Sequence, residues 1–172
     1  MLEFESNGPQ VRPWIRFWAR SFDLYSWALL IAIVSAFAFP AVLEIRDAIL
    51  GLLIAFTYMF VEPLLLSTWG TTPGKALLRI RLRKADGRKP GYGAALERSF
   101  YVWTRGIGLG VPLIGLITQL LAYNRLKDKG VTSWDQACDF RVAHQVVGAP
   151  RAAIAVAIFL ALGALIAYGE TQ

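Results

Sequence analysis

Long apolar runs alternate with short charged segments along this chain, and the runs predict its main elements. A membrane span needs about 20 apolar residues at ~1.5 Å per residue. Residues 22 to 43, FDLYSWALLIAIVSAFAFPAVL, and residues 48 to 69 meet that length, and residues 152 to 168, AAIAVAIFLALGALIAY, form a shorter run with no charge at all. Pro13 suits a first helical position, so the first helix is expected to begin there. Such a helix sets Arg12, Arg16, Arg20 and Asp23 on one face, with Trp14 and Trp18 elsewhere around it. The pattern is that of an interfacial stretch feeding a span.

The second window contains Glu62 and Pro63, so its insertion has to be weighed. A carboxylate near the helix centre costs roughly 2.5 to 3.5 kcal/mol, while each Leu, Ile, Phe or Val returns roughly 0.3 to 0.6. Eleven such residues in this window outweigh one Glu, and Glu62 is expected to face other helices rather than lipid. A further apolar stretch, residues 96 to 123, carries Arg105 and is interrupted by Gly106, Gly108, Gly110 and Pro112. That interruption predicts two half-helices rather than one straight span.

Charge distribution orients these elements. The N-terminal arm carries Arg12, Arg16 and Arg20; residues 70 to 98 carry eight Lys or Arg and residues 123 to 151 carry five. The turn between the first two spans has only Arg46 beside Glu44 and Asp47. The positive-inside tendency assigns all three basic segments to the cytoplasm, which turns residues 96 to 123 into a hairpin that enters and leaves on one side. Four plain spans with residues 123 to 151 outside is the alternative. Ile80 and Leu82 alternate with Arg79, Arg81 and Arg83, and Phe140 and Val142 flank Arg141; both read as short strands that can pair only within one compartment. Ser133 to Gln136 fits a capping box opening a short helix. The expected fold is therefore an all-α integral membrane bundle of three or four membrane segments, with a small cytoplasmic β-ribbon. It divides into an N-terminal arm (1–11), a membrane domain (12–147) and a C-terminal transmembrane anchor (148–172).

Composition narrows the function. Of 172 residues, 56% are hydrophobic, which removes an ordinary soluble domain from consideration. The net charge of +6 fits cytoplasmic loops and anionic headgroups of the bilayer better than nucleic acid. A single cysteine, Cys138, excludes an intramolecular disulfide, and a single His144 excludes a multi-histidine metal site but leaves a mixed site with carboxylates open; the expectation is no metal and no cofactor. The N-terminus lacks the pattern of a cleaved signal, and the first span is expected to serve for targeting. Gly70, Thr72, Pro73, Gly74 and Lys75, in GTTPGKA, fall short of phosphate-loop spacing and have Ala76 where magnesium would need a hydroxyl. They read as a turn at the membrane exit, with Lys75 meeting headgroups or a helix end. Arg98 and Arg105, seven apart, share a helical face and offer cations to Asp23 and Glu62. With no nucleophile elbow, HExxH or histidine cluster, an enzyme is not expected.

These residues together resemble the RDD family of small membrane proteins, named for one arginine and two aspartates. Arg16, Ala19 and Asp23 match its opening pattern; Glu62 followed by GTTPGKALLRIRL matches its second segment. Arg98 matches the Arg entering the third stretch, and Asp135 in SWDQACDFRV matches the second aspartate. The resemblance covers residues 12 to 143; Trp134 stands where the family often has His, and Ala76 where Arg is common. It implies transport of a solute, with cation/proton exchange among some members.

Two functions follow as expectations. In one, the chain is a transporter or transporter component for a small solute or for cations and protons. Asp23 and Glu62 would bind the ion, and Arg16, Arg20, Arg98, Arg105 and Asp135 would complete the polar cluster. In the other, it is a non-catalytic accessory or assembly subunit whose charges staple its own fold. Either way a homo-oligomer or larger membrane complex is expected, in the inner (cytoplasmic) membrane, multi-pass, with the N-terminus cytoplasmic.

Overall fold

A computed structural model of the chain describes residues 12–169. The expected N-terminal arm, residues 1–11, lies outside the described residues, as do residues 170–172. The chain is mostly helical, with helices α1 (Pro13–Ala38), α2 (Asp47–Thr68), α3 (Pro73–Leu77), α4 (Tyr92–Arg105), α5 (Pro112–Lys129), α6 (Ser133–Ala137) and α7 (Ala149–Gly169). Two strands, β1 (Ile80–Lys84) and β2 (Phe140–His144), complete it.

Local chemistry places most boundaries. Pro13, Pro73 and Pro112 each sit in the first turn of their helices, where the missing N–H is harmless. Pro40 forces Phe39 out of helical geometry and ends α1. Gly70 (φ +77°) and Gly130 (φ +70°) take the left-handed conformation that closes α2 and α5, their N–H groups donating to the Leu65 and Leu126 carbonyls. At 26 and 22 residues, α1 and α2 are long and apolar enough to cross a membrane. The Gly-rich interruption does split the third stretch: α4 stops at Arg105, a tight turn through Gly108–Gly110 reverses the chain, and α5 returns.

The predicted strands form a two-stranded antiparallel ribbon, with Leu82 opposite Val142 at its centre. The capping box falls one residue earlier than expected. Thr132, not Ser133, is the N-cap, and its hydroxyl oxygen accepts from the Asp135 N–H; Ser133 is already the first helical residue, so its side chain is past the capping position.

The ribbon also exposes a relation between the two halves. Positions 60 apart play the same part: Gly70 and Gly130 end a helix, Thr72 and Thr132 cap a five-residue helix, and Arg79 and Asp139 take positive φ (54° and 56°) before a strand. Leu82 and Val142, the central pair of the ladder, are also related by 142 − 82 = 60. An antiparallel ladder centred on equivalent residues has a local two-fold axis through that pair. The units α2-α3-β1-α4 and α5-α6-β2-α7 are thus two copies of one motif, with α1 outside the repeat.

The packed core obeys the same relation. One cluster gathers Leu66, Leu82, Ala95, Cys138 and Phe140; the other gathers Ala19, Leu78, Ile80 and Ala155. Ala95 and Ala155, Cys138 and Leu78, Phe140 and Ile80 are equivalent positions, and Val142 touches both clusters. Helix α7, set apart from the membrane domain by sequence, therefore packs into it. The symmetry breaks at α1: α2 packs along α4, whereas α1 takes contacts from both α5 and α7.

Candidate functional site

Seven charged side chains from five helices converge where α1, α2 and α4 meet the two short helices. Steps of four and three along α1 bring Arg16, Arg20 and Asp23 to one inward face. Asp23 is buried; its Oδ2 accepts from the Thr72 hydroxyl at 2.6 Å and its Oδ1 from the Gly74 N–H at 2.6 Å. Gly74 is required at this point, because a Cβ there would collide with the Ala19 carbonyl oxygen and lie 3.0 Å from Asp23 Oδ1.

Glu62, on α2, is the centre of the cluster. Lys75 Nζ lies 2.7 Å from Oε1, Arg20 Nη2 is 3.1 Å from both oxygens, Arg98 Nη1 is 3.4 Å from Oε1, and the Ser99 hydroxyl donates to Oε2 at 3.2 Å. Asp135 joins α6 to the same network: Arg98 Nε donates to Oδ1 at 2.7 Å, Arg16 Nη1 to Oδ2 at 3.0 Å, and the Thr132 hydroxyl to Oδ2 at 2.7 Å. Burial alone would raise the Asp135 pKa, but Arg98, Arg16 and the Thr132 hydroxyl together hold it below the usual carboxylate range.

A buried ion costs several kcal/mol in lost hydration, offset only when partners and hydrogen bonds are complete. Here all six carboxylate oxygens of Asp23, Glu62 and Asp135 accept from at least one donor. With four cations, Arg16, Arg20, Lys75 and Arg98, the cluster keeps one positive charge in excess.

The expected set is thus largely brought together, with two corrections. Arg105 stays out: it lies over the Tyr101 ring, 4.4 Å from its centroid, because the helix break at Gly106 leaves it at the end of α4. Lys75 does not meet headgroups; α3 turns its side chain back against Glu62, and it is buried. Pro73 and Thr72 start α3 as the turn reading implied, and the Gly70 carbonyl accepts from Arg83 Nη1 at 2.9 Å.

Ser99, Thr132 and His144 were not singled out from sequence. Ser99 follows Arg98 on a helix that already faces Glu62; Thr132 precedes Asp135 by the spacing of a cap; only His144 left no local signal. Its Nε2 accepts from Arg16 Nε at 3.2 Å, and among the described residues its buried Nδ1 has no partner.

A cavity of about 610 Å³ adjoins the cluster, between α1, α4 and α5. Arg16, Arg20, Lys75 and Arg98 all line it, and among the described residues no Asp or Glu does. The carboxylates sit behind the cations, 1% exposed at Glu62 and Asp135 side chains against 18% and 23% at Arg16 and Arg20. Ala122, the α5 counterpart of Glu62 (62 + 60 = 122), also lines the cavity, so this wall brings the cations no carboxylate. Trp134 lines it as well, its ring 3.4 Å from where a Cβ on Gly106 would stand.

No curated protein and no solved structure matches the chain. A family model described as the RDD family matches residues 11–139, from the start of the Arg16, Arg20 and Asp23 face through Asp135. The match takes in well over half of the chain and every charged residue of the cluster, and the chain belongs to the RDD family.

Proposed function

We propose that this protein is a non-catalytic, multi-pass membrane component that receives an anionic solute in the cavity between α1, α4 and α5, as part of a transport process. One observation carries the reading: four cationic side chains line that cavity, and among the described residues no acidic one does. Preorganised cations at the end of a low-dielectric cavity favour a negative charge strongly. The same observation weighs against cations or protons as the solute, since the oxygens of Asp23 and Glu62 already accept from Thr72, Gly74, Lys75, Arg20 and Ser99.

The basic β-ribbon and the start of α1 face the cytoplasm of the inner membrane, where the positive-inside tendency puts them, close to anionic headgroups. Helices α1 and α2 are too few to enclose a pathway, so a homo-oligomer or a larger membrane complex completes it. Liposome reconstitution tests this. Anion flux that falls in Arg20→Gln is the expected result; sodium or proton flux that is lost in Asp23→Asn and indifferent to the anion would overturn it.

The accessory-subunit reading also has an observation behind it, the complete pairing of the cluster's carboxylates, which is what a rigid scaffold requires. Absence of any flux, together with stoichiometric co-purification of another membrane protein, would favour it.

A further inference from the structure

The walls of the cavity narrow the class of anion. Its cationic end is formed by Arg16, Arg20, Lys75 and Arg98, but the rest is largely apolar, and its mouth is rimmed by Trp14 and Phe17 on α1 and by Leu116, Leu120 and Tyr123 on α5. All five rim side chains are exposed. The Trp14 and Tyr123 rings meet at a tilt across the two helices, with centroids 6.3 Å apart and planes inclined by 59°. Trp14 and Phe17 stand on the interfacial first turns of α1, directly ahead of the apolar run that is long enough to span a bilayer, where aromatic side chains sit at headgroup level. The mouth is therefore within reach of lipid headgroups and the upper acyl chains, and an aqueous ion such as free phosphate would have to pass an apolar rim to reach the arginines.

We infer that the occupant is a bilayer lipid carrying a single negative charge, its anionic headgroup on Arg16, Arg20 and Arg98 and its chains lying between α1 and α5. The inference rests on the anion-receiving reading of this cavity and specifies its ligand. Three features of the site support it. The cluster has one uncompensated positive charge, which a monoanion neutralises and a zwitterionic lipid does not. Arg16 and Arg20 are the most exposed of the cations lining the cavity; Arg16 uses Nε on His144 and Nη1 on Asp135, Arg20 uses only Nη2 on Glu62, and each keeps further N–H donors for a phosphodiester or carboxylate. The internal repeat supplies the third: α5 presents Ala122 where α2 presents Glu62, so an anion from outside takes a place that the first half fills with its own carboxylate.

The test uses the full chain in neutral detergent, with lipid retention read by native mass spectrometry and stabilisation read by thermal unfolding. Phosphatidylglycerol, phosphatidylcholine and inorganic phosphate are compared as probes. One phosphatidylglycerol per chain is expected, with a concentration-dependent rise in melting temperature, no equivalent retention of phosphatidylcholine and no competition by inorganic phosphate. Arg20→Gln should weaken retention by roughly tenfold or more. Because that variant also removes a partner of Glu62, Leu120→Trp is the second arm: it fills the mouth from an exposed position, leaves every ion pair in place, and should fold as the parent while losing the lipid. Binding of inorganic phosphate with no preference for phosphatidylglycerol would overturn the lipid assignment and leave the anion reading standing. Binding of none of the three probes would overturn both. Retention unaffected by Leu120→Trp would place the lipid elsewhere and overturn the inference.

Discussion

Glu62 has the most partners of any carboxylate in the protein's polar cluster, three cations and a hydroxyl. Removing one side of a buried ion pair leaves the other charge without compensation, typically at about 3 to 5 kcal/mol. Glu62→Ala is therefore expected to lower stability by about that amount, measured as thermal or denaturant unfolding in detergent; Glu62→Gln, which keeps an acceptor, should lose less. His144 gives a pH dependence. Burial first, and then Arg16 on α1 and Arg12 just before it, push its pKa from 6.5 down to about 4, against an opposing pull from Asp135 on α6. The unfolded chain takes up that proton near the ordinary value, so the His144 contribution is intact above about pH 6.5 and declines as pH falls toward about 4. Melting temperatures across that window should drop more for the parent than for His144→Gln, which retains an acceptor for Arg16; parallel profiles would refute the assignment. Asp135 adds its own loss at lower pH, as the pH falls from the ordinary carboxylate range through its depressed pKa. At this scale the sequence made Arg16, Asp23, Glu62 and Asp135 conspicuous because charge is expensive in apolar surroundings. It showed His144 only as a lone histidine and did not place it in the cluster, because nothing near it in the chain announces that a strand end will meet α1.

At the scale of elements, punctuation by Gly and Pro was legible and its consequences mostly followed. The glycines at 106, 108 and 110 and Pro112 break the third stretch, and alternation around Ile80 and Phe140 gives two strands that do pair. The turn at residues 70 to 75 reads in the sequence as a change of direction with Lys75 at headgroups or a helix end. Its closeness to α1 was not legible, since the need for a bare Cα at Gly74 arises from a carbonyl 55 positions earlier, at Ala19. Gly74→Ala should wedge α3 away from α1, break the Asp23 contact to the Gly74 N–H and cost about 1 to 3 kcal/mol. Thermal unfolding checks this, with Gly93→Ala as a control where a Cβ meets open space. The repeat had a sequence signal too: Gly-x-Thr, then an Arg at the second strand position, recurs in GTTPGKALLRIRL and GVTSWDQACDFRV. The two copies differ at most other positions, so the shared capping, left-handed residues and strand register become evident only once the ladder is centred on Leu82 and Val142.

For the whole molecule, α7 is the test case. It lies beyond the matched family segment, which ends at residue 139, yet Ala155 is buried with Ala19, Leu78 and Ile80, and the Phe159 ring meets Trp18 and Phe22 edge-on at 5.2 and 5.6 Å. Truncation after Gly148 should expose that cluster, lower the melting temperature and broaden the size-exclusion profile in detergent; a truncated chain as stable as the full one would show α7 to be a mere anchor. The sequence by itself determined the apolar spans, the helix ends, the two strands and most of the charges that had to be buried, because those follow from local pattern, from Pro and Gly geometry and from the cost of charge in an apolar run. Only the tertiary structure decided which charges meet. Arg16 reaches Asp135 across 119 positions, Lys75 turns inward to Glu62, and Arg105 turns away to Tyr101. It also decided that cations rather than carboxylates face the cavity, because the side a polar cluster presents depends on how the helices pack around it, which no local spacing encodes.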